Sequence, residues 1–329
     1  MHIEVTNVHE ALPKLLEILR HSGVRRESRN GPVLVHSDVM TITYTRPWQR
    51  VMFWPSRDCN PALHLYESLW MLRGRNDIAP LVRMAKQFNN YTDDGVTMHA
   101  AYGHRWRQHF GKDQLDIIVK RLRKDPTDRR CVLAMWDANA DLDRDGKDLP
   151  CNTTATVQLG VDGKLNLSVF NRSNDLVWGL AGANAVQFAT LQEYLARRIG
   201  CPIGVYNQIT VNMHAYLDTL APLEDIKKKG EDPYANAGSI KFLPMPELPD
   251  GDIEAVVSLA DGLTARPITS EWGKMVWAVL HANKAWRESD KEDRFQKAMV
   301  VLNTAPFGVD WVVAQREWFE RRETAWRKK

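Results

Sequence analysis

Pro150-Cys151-Asn152-Thr153-Thr154-Ala155-Thr156-Val157-Gln158-Leu159-Gly160-Val161-Asp162-Gly163-Lys164-Leu165-Asn166-Leu167-Ser168-Val169-Phe170-Asn171-Arg172-Ser173-Asn174-Asp175 is the stretch that decides the fold. Val157, Leu159 and Val161 alternate with polar residues, as do Leu165, Leu167 and Val169. Period-two alternation on both sides of Asp162-Gly163 predicts a β-hairpin with a tight turn. The first strand leaves Cys151 and the second returns to Arg172, so the thiol and the guanidinium meet at one end of the ribbon. An arginine and a serine there suit a phosphate, through a bidentate fork and a hydroxyl donor. The cation is also expected to lower the thiol pKa from about 8.5 toward neutrality. A turn carrying ordinary surface charges is the competing reading.

Working outward, Val8 to Arg20 has helical spacing at Leu12, Leu15, Leu16 and Leu19. Val33 to Tyr44 reads as a strand, Pro61 to Leu72 as an apolar helix begun by proline, and Ile78 to Phe88 as another helix. Residues 89–101 are polar and irregular; Leu115 to Leu122 is helical and Cys131 to Trp136 a buried strand. Asn184 to Ile199 is a helix with Phe188, Leu191 and Leu195 inward and Gly200 as its stop, and Ile203 to Met213 is a strand. After the proline-rich linker Leu243 to Pro249, three helices are expected between Ser270 and Arg327. The class is α+β, a large mixed or antiparallel sheet with packed helices. The expected division is a catalytic domain over 1–249 and a helical C-terminal extension over 250–329.

With 44 basic and 41 acidic residues the net charge is +3, too balanced to argue for nucleic-acid binding. No apolar run approaches a membrane span, and the N-terminus lacks the apolar segment of a signal peptide, so a cytoplasmic protein is expected. The four cysteines form no C-x-x-C pair and the ten histidines no metal spacing, so neither a disulfide framework nor a metal is expected. Glu67 stands out because its helical neighbours Leu63, Trp70 and Met71 are all apolar. A carboxylate on a buried stripe is expensive. It is either a structural ion-pair member or a group with a raised pKa that moves protons.

These segments together resemble the thymidylate synthase superfamily, in order and spacing over residues 8 to 220. Pro150-Cys151-Asn152-Thr153 is similar to its nucleophile P-C-H-T, and Arg172-Ser173-Asn174-Asp175 with Gly179-Leu180 to R-S-x-D-x-x-x-G-L. Tyr66-Glu67-Ser68-Leu69-Trp70 is similar to H-E-L-L-W, Tyr102-Gly103-His104-Arg105-Trp106-Arg107 to Y-G-x-Q-W-R, Asp128-Arg129-Arg130 to S-R-R, and His214-Ala215-Tyr216 to H-x-Y. The resemblance implies that Cys151 attacks C6 of a pyrimidine nucleoside monophosphate, and that Glu67, Tyr102 and Asn152 assist. It implies phosphate binding by Arg29, Arg172 and Ser173, with Arg129 and Arg130 arriving from the second subunit of a homodimer. His214 and Tyr216 would hold the sugar hydroxyl. Asp175 would bind the pterin of 5,10-methylenetetrahydrofolate, with Arg57, Phe88 and Tyr91 also on the folate side.

Departures from the pattern bear on the product. Phe88 and Tyr91 stand where synthases carry two tryptophans, and Trp326-Arg327-Lys328-Lys329 lacks the synthase's valine-rich tail. A less sealed site lets water attack the exocyclic methylene, as in the phage-encoded pyrimidine nucleotide hydroxymethylases. The host cytoplasm would then be the compartment. Ala183 occupies the asparagine position that reads uracil, followed by Asn184. dUMP is the expected substrate if Asn184 takes over the reading. A synthase converting dUMP to dTMP, and a dCMP or CMP hydroxymethylase, are the alternatives.

Overall fold

The computed structural model describes residues 1–223, 226, 232–235 and 240–328. In chain order the first half runs β1 (His2–Val5), α1 (Val8–Ser22), β2 (Val24–Ser28), β3 (Gly31–His36), β4 (Met40–Tyr44), α2 (Pro61–Leu72), α3 (Ala79–Met84), α4 (Tyr102–His104), α5 (Gln114–Lys124), β5 (Val132–Ala134) and α6 (Ala138–Asp141). The second half runs β6 (Asn152–Leu159), β7 (Leu165–Asn171), β8 (Asn174–Asp175), α7 (Asn184–Ile199), β9 (Ile203–Thr210), β10 (Met213–Tyr216), α8 (Leu217–Leu220), α9 (Asp250–Ala260), α10 (Glu271–Glu288), α11 (Arg294–Leu302) and α12 (Asp310–Arg327). A six-stranded mixed sheet has the order β1-β4-β9-β7-β6-β5, and a four-stranded sheet the order β2-β3-β10-β8. The expected α+β class is the observed one.

The hairpin forms as its alternation requires. Leu159 pairs with Leu165, and Asn152 with Asn171. Its turn is longer than expected: the Gly160 N–H donates to the Lys164 carbonyl at 2.9 Å, leaving residues 161–163 as the loop. Gly163 has φ of +73°, the left-handed residue that closes three-residue hairpin loops. Val161 therefore sits exposed at the tip rather than on the inner face.

Two expected long strands divide between the sheets. The stretch 33–44 is β3 in the small sheet and β4 in the large one; 203–213 divides into β9 and the start of β10 in the same way. Both change sheet at a short corner, residues 37–39 and 211–212, where the buried face shifts by one residue, from Val33 and Val35 to Met40 and Ile42 and from Gln208 and Thr210 to Met213 and Ala215. The small sheet thereby brings His214 opposite Asp175. The helix expected over 78–88 breaks at Ala85, which is extended (φ −152°), and continues as a 3₁₀ turn over Lys86–Asn90.

Helix α2 is capped by Asn60, whose side chain accepts from the Leu63 N–H, and starts on Pro61. It is buried almost all round, which its mostly apolar sequence demands. On one side α4 packs against it through Gly103: a Cβ there would lie 2.0 Å from the Met71 carbonyl oxygen. On other sides it meets the C-terminal helices. The Ala62 N–H donates to Gln315 of α12 at 3.0 Å, and the Tyr66 hydroxyl to Asp261, just after α9, at 2.8 Å. The division expected at 249/250 falls at the start of α9, and packing continues across it. Ile253 and Val256 of α9, Met275 of α10 and Phe319 of α12 share one buried cluster with Leu65 and Leu69.

Candidate active site

A cleft of about 290 Å³ opens between α2, the segment 98–102, the loop before β6 and the start of α7. Glu67, Tyr102, Cys151, Asp175, Phe88, Ala183 and Asn184, all singled out from the sequence, line it. Asp148, Asn174, Trp178 and Gln187 line it as well.

Cys151 is held at the cleft by its backbone. Its N–H and that of Asn152 both donate to the Tyr102 hydroxyl, at 3.1 and 3.2 Å, and its carbonyl accepts the Arg172 N–H at 2.9 Å. The thiol and Arg172 therefore do lie together at the end of the ribbon. The electrostatic expectation is corrected, however. Burial pushes the Cys151 thiol up, Arg172 pulls it down by less, and Asp148 and Asp175 add to the rise. The reason is visible in the arginine's bonds: Nε donates to the Pro150 carbonyl at 2.8 Å and Nη2 to that of Leu149 at 3.3 Å. Arg172 is committed to the loop that carries the cysteine, on an exposed side chain.

Glu67 projects into the cleft from α2. Burial pushes its carboxyl up to about 7, against a hydrogen bond from Gln187. Of the two readings open from the sequence, the structural ion pair finds no partner among the described residues. A carboxyl titrating near neutrality beside a thiol is equipped to exchange protons. Tyr102 is held fully protonated by burial.

Asp175 caps the irregular turn 176–183, accepting the Trp178 N–H at 2.5 Å. Its Oδ2 is buried and accepts nothing among the described residues. Burial raises its pKa, opposed by that N–H and by His214. The Asn174 side-chain N–H₂ is likewise buried and unpartnered. Buried polar atoms left open toward a cleft await a ligand's hydrogen bonds. Gly179 makes room for this arrangement, because a Cβ there would lie 2.0 Å from Asn174 Oδ1 and 2.7 Å from Asn184 Oδ1. Phe88, Leu81, Met98 and the half-exposed Trp178 supply apolar walls for a flat ring system. An open carboxylate oxygen above such walls fits a heterocycle bearing N–H donors, as a pterin does.

Several expected residues lie elsewhere. Asn152 is fully buried below the cleft, its side chain accepting from Asn171, so it does not reach a ligand directly. Tyr91 is half-exposed outside the lining, because the break at Ala85 redirects the chain. Arg57 is buried behind the wall, donating to the Val177 carbonyl at 2.9 Å with its guanidinium 4.5 Å from the Trp178 ring centre. Arg29 donates to the Gly146 carbonyl at 3.0 Å. Ser173 and His214 approach at 3.5 Å, and the Tyr216 hydroxyl accepts from Asn30 at 3.4 Å, forming a polar group on the small sheet outside the cleft lining. Arg129 and Arg130 are exposed and away from this chain's cleft, and Arg130 pairs with Asp128 at 2.9 Å.

Sequence reading missed Asp148, Asn174, Trp178 and Gln187. Trp178 and Asn174 carried a signal, both lying inside the motif that runs from Arg172 to Leu180; Asp148 and Gln187 were indistinguishable from surface polar residues. Among the described residues no cluster of metal-ligating side chains is found, and no helix is long and apolar enough to cross a membrane.

Comparison with known proteins agrees with this geometry. The thymidylate synthase family profile matches residues 12–240. The chain is 44% identical over 336 aligned residues to the deoxyuridylate hydroxymethyltransferase of Pseudomonas phage M6, covering 98% of this chain and 95% of that one. It is 38% identical over 200 residues to the protein of the same name from Bacillus phage SP01, covering 57% and 52%. It is 26% identical over 247 residues to that of Delftia phage PhiW-14, covering 72% and 68%. The family profile over most of the chain and the near full-length similarity to the phage M6 protein make this chain a member of the thymidylate synthase family.

Proposed function

We propose that this chain is a folate-dependent deoxyuridylate 5-hydroxymethyltransferase. The observation that carries the reading is the convergence of Cys151, Glu67, Asn184 and Asp175 on one cleft. Cys151 adds to C6 of dUMP and turns C5 into a carbon nucleophile, which the unactivated ring is not. Glu67, protonated in a good fraction of molecules near pH 7, donates toward the ring carbonyl as the thiol adds. Tyr102 keeps the Cys151 backbone in place during attack. The Asn184 amide reads the base edge, an amide being able to match uracil through either end. Arg172, Ser173 and Arg29 bind the phosphate, and His214 and Tyr216 the sugar. Asp175 would hold the pterin, with Phe88 and Trp178 as the apolar walls of its site. 5,10-Methylenetetrahydrofolate, when bound, supplies a one-carbon unit at the oxidation level of formaldehyde.

Water, rather than folate hydride, completes the reaction. That choice is supported by the near full-length similarity to a phage protein named for it and by Phe88 in the cleft wall. The test is the product: dUMP with methylenetetrahydrofolate is expected to give 5-hydroxymethyl-dUMP by mass spectrometry, with no rise in dihydrofolate absorbance. dTMP with stoichiometric dihydrofolate would make the chain a synthase; turnover of dCMP in preference to dUMP would reassign the base.

The active unit is a homodimer in which Arg129 and Arg130 complete the partner's phosphate site. Their exposure, away from their own cleft, supports this. Mixing inactive Cys151→Ala with an inactive Arg129→Ala/Arg130→Ala variant should restore part of the activity. No recovery on mixing, with subunit exchange verified, would confine each site to one chain.

A further inference from the structure

Three carboxyls line the cleft, and only two have work in the scheme above. The third is Asp148, three residues before the nucleophile. Its Oδ2 accepts the Ala100 N–H at 2.9 Å, which fixes the carboxyl on the wall that also carries Tyr102. Its other oxygen accepts no hydrogen bond among the described residues.

Its location is unfavourable for the first step. A negative charge there opposes ionisation of Cys151 and adds to the rise in the thiol's pKa. Asp148 is itself raised by burial, against the Ala100 N–H. The cleft thus holds a carboxyl that hinders attack by the thiolate. Once Cys151 has become a neutral thioether on C6, that conflict disappears. The hydroxymethyl reaction then needs something that the hydride reaction does not, namely removal of a proton from the attacking water.

We propose that Asp148 is the general base that activates this water, an assignment that rests on the hydroxymethyltransferase reading. In this step tetrahydrofolate has already left, and the adduct carries an exocyclic methylene at C5 and Cys151 at C6. A water oxygen bonds to the methylene carbon while the free oxygen of Asp148 takes the water proton. The methylene π electrons move onto C5 and the C4 carbonyl as an enolate. The enolate re-forms the C5–C6 double bond and expels Cys151 as thiolate, and the proton on Asp148 returns to solvent. No atom changes oxidation state beyond the transfer itself, so tetrahydrofolate is released unoxidised.

The test separates this step from those before it. Asp148→Asn keeps an oxygen for the Ala100 N–H. In deuterated water without folate, exchange of the C5 hydrogen of dUMP, followed by NMR, reports Cys151 addition and Glu67 proton transfer only. Asp148→Asn is expected to retain this exchange within about threefold while hydroxymethyl product falls at least about 100-fold, the usual range for losing a general base. Asp148→Ala should lose product similarly and regain part of it with added formate, a small carboxylate that can occupy the gap. Product formation within about threefold of the parent in both variants would overturn the proposal. Loss of exchange together with product, without rescue by formate, would overturn it too and leave Asp148 as a positioning residue for the Cys151 loop. The unsubstituted protein is assayed in parallel; if it makes dTMP and dihydrofolate, the hydroxymethyl reading fails independently of Asp148.

Discussion

Two partly buried aspartates, one in the cleft and one in the C-terminal helices, show how the two regions differ. Asp252 of α9 accepts from the N–H and hydroxyl of Thr269 and from the N–H and hydroxyl of Ser270, the cap of α10. Burial alone would raise its pKa, but these bonds outweigh burial and hold it below the ordinary value. Asp175 also caps a helical turn, yet it accepts a single N–H at Trp178, leaves one oxygen bare, and is raised. The saturated carboxylate anchors structure. The half-satisfied one is an open valence for a ligand.

The contrast extends to what surrounds them. The C-terminal helices are tied by aromatic packing, with Trp286 stacked on Phe319 at 5.0 Å and Trp318 edge-on to both, and with the Arg294 and Arg322 guanidinium groups over Trp286 and Trp318. Those helices grip α2, the helix that carries Glu67. The C-terminal helices are therefore expected to contribute stability rather than chemistry.

Substitutions should separate the two roles. The largest effect is expected for Cys151→Ala, a loss of turnover by about 10⁴-fold or more with the nucleotide affinity retained and the thermal midpoint little changed. Residual turnover within tenfold of the parent would end the covalent mechanism. Phe319→Ala should reverse the pattern, destabilising by about 3–5 kcal/mol in urea unfolding while kcat per folded molecule is unaltered. A specific fall in kcat there would mean that the helices do more than support α2.

Glu67→Gln should combine both kinds of effect. Proton transfer is impaired by about 100-fold in kcat. The stability effect has a definite sign. Glu67 titrates at about 7 when folded, against 4.5 for an ordinary glutamate, so between those values the folded chain binds more protons than the unfolded one. Its stabilising contribution is complete below about pH 4.5 and is lost as pH rises through about 7. Glu67→Gln should therefore gain up to about 3 kcal/mol relative to the parent between pH 4 and 8. Parallel stability curves would show that Glu67 is not buried as described.

The smallest effects come from the two aspartates themselves. Asp252→Asn should cost about 1–3 kcal/mol of stability at unchanged KM, whereas Asp175→Asn should raise the KM for folate about tenfold with stability nearly unchanged. The same response at both positions would remove the distinction drawn between them.

The sequence by itself determined the hairpin, the α+β class, the apolar helix with a misplaced glutamate and the order of motifs, because local alternation, turn residues and helical spacing are properties of neighbours along the chain. Cys151 and Arg172 could be placed side by side on that ground alone. What only the tertiary structure decided involves distance through space. The bends at residues 37–39 and 211–212 are only two or three residues long and carry no glycine or proline, so each pair of strands read as one and the second sheet was not legible. The thiol's pKa depends on burial and on where Arg172 spends its hydrogen bonds, not on their adjacency. Asp148 looked like one more acidic residue in a charged loop, and only the packing of Ala100 and Tyr102 against that loop turned it toward the cleft.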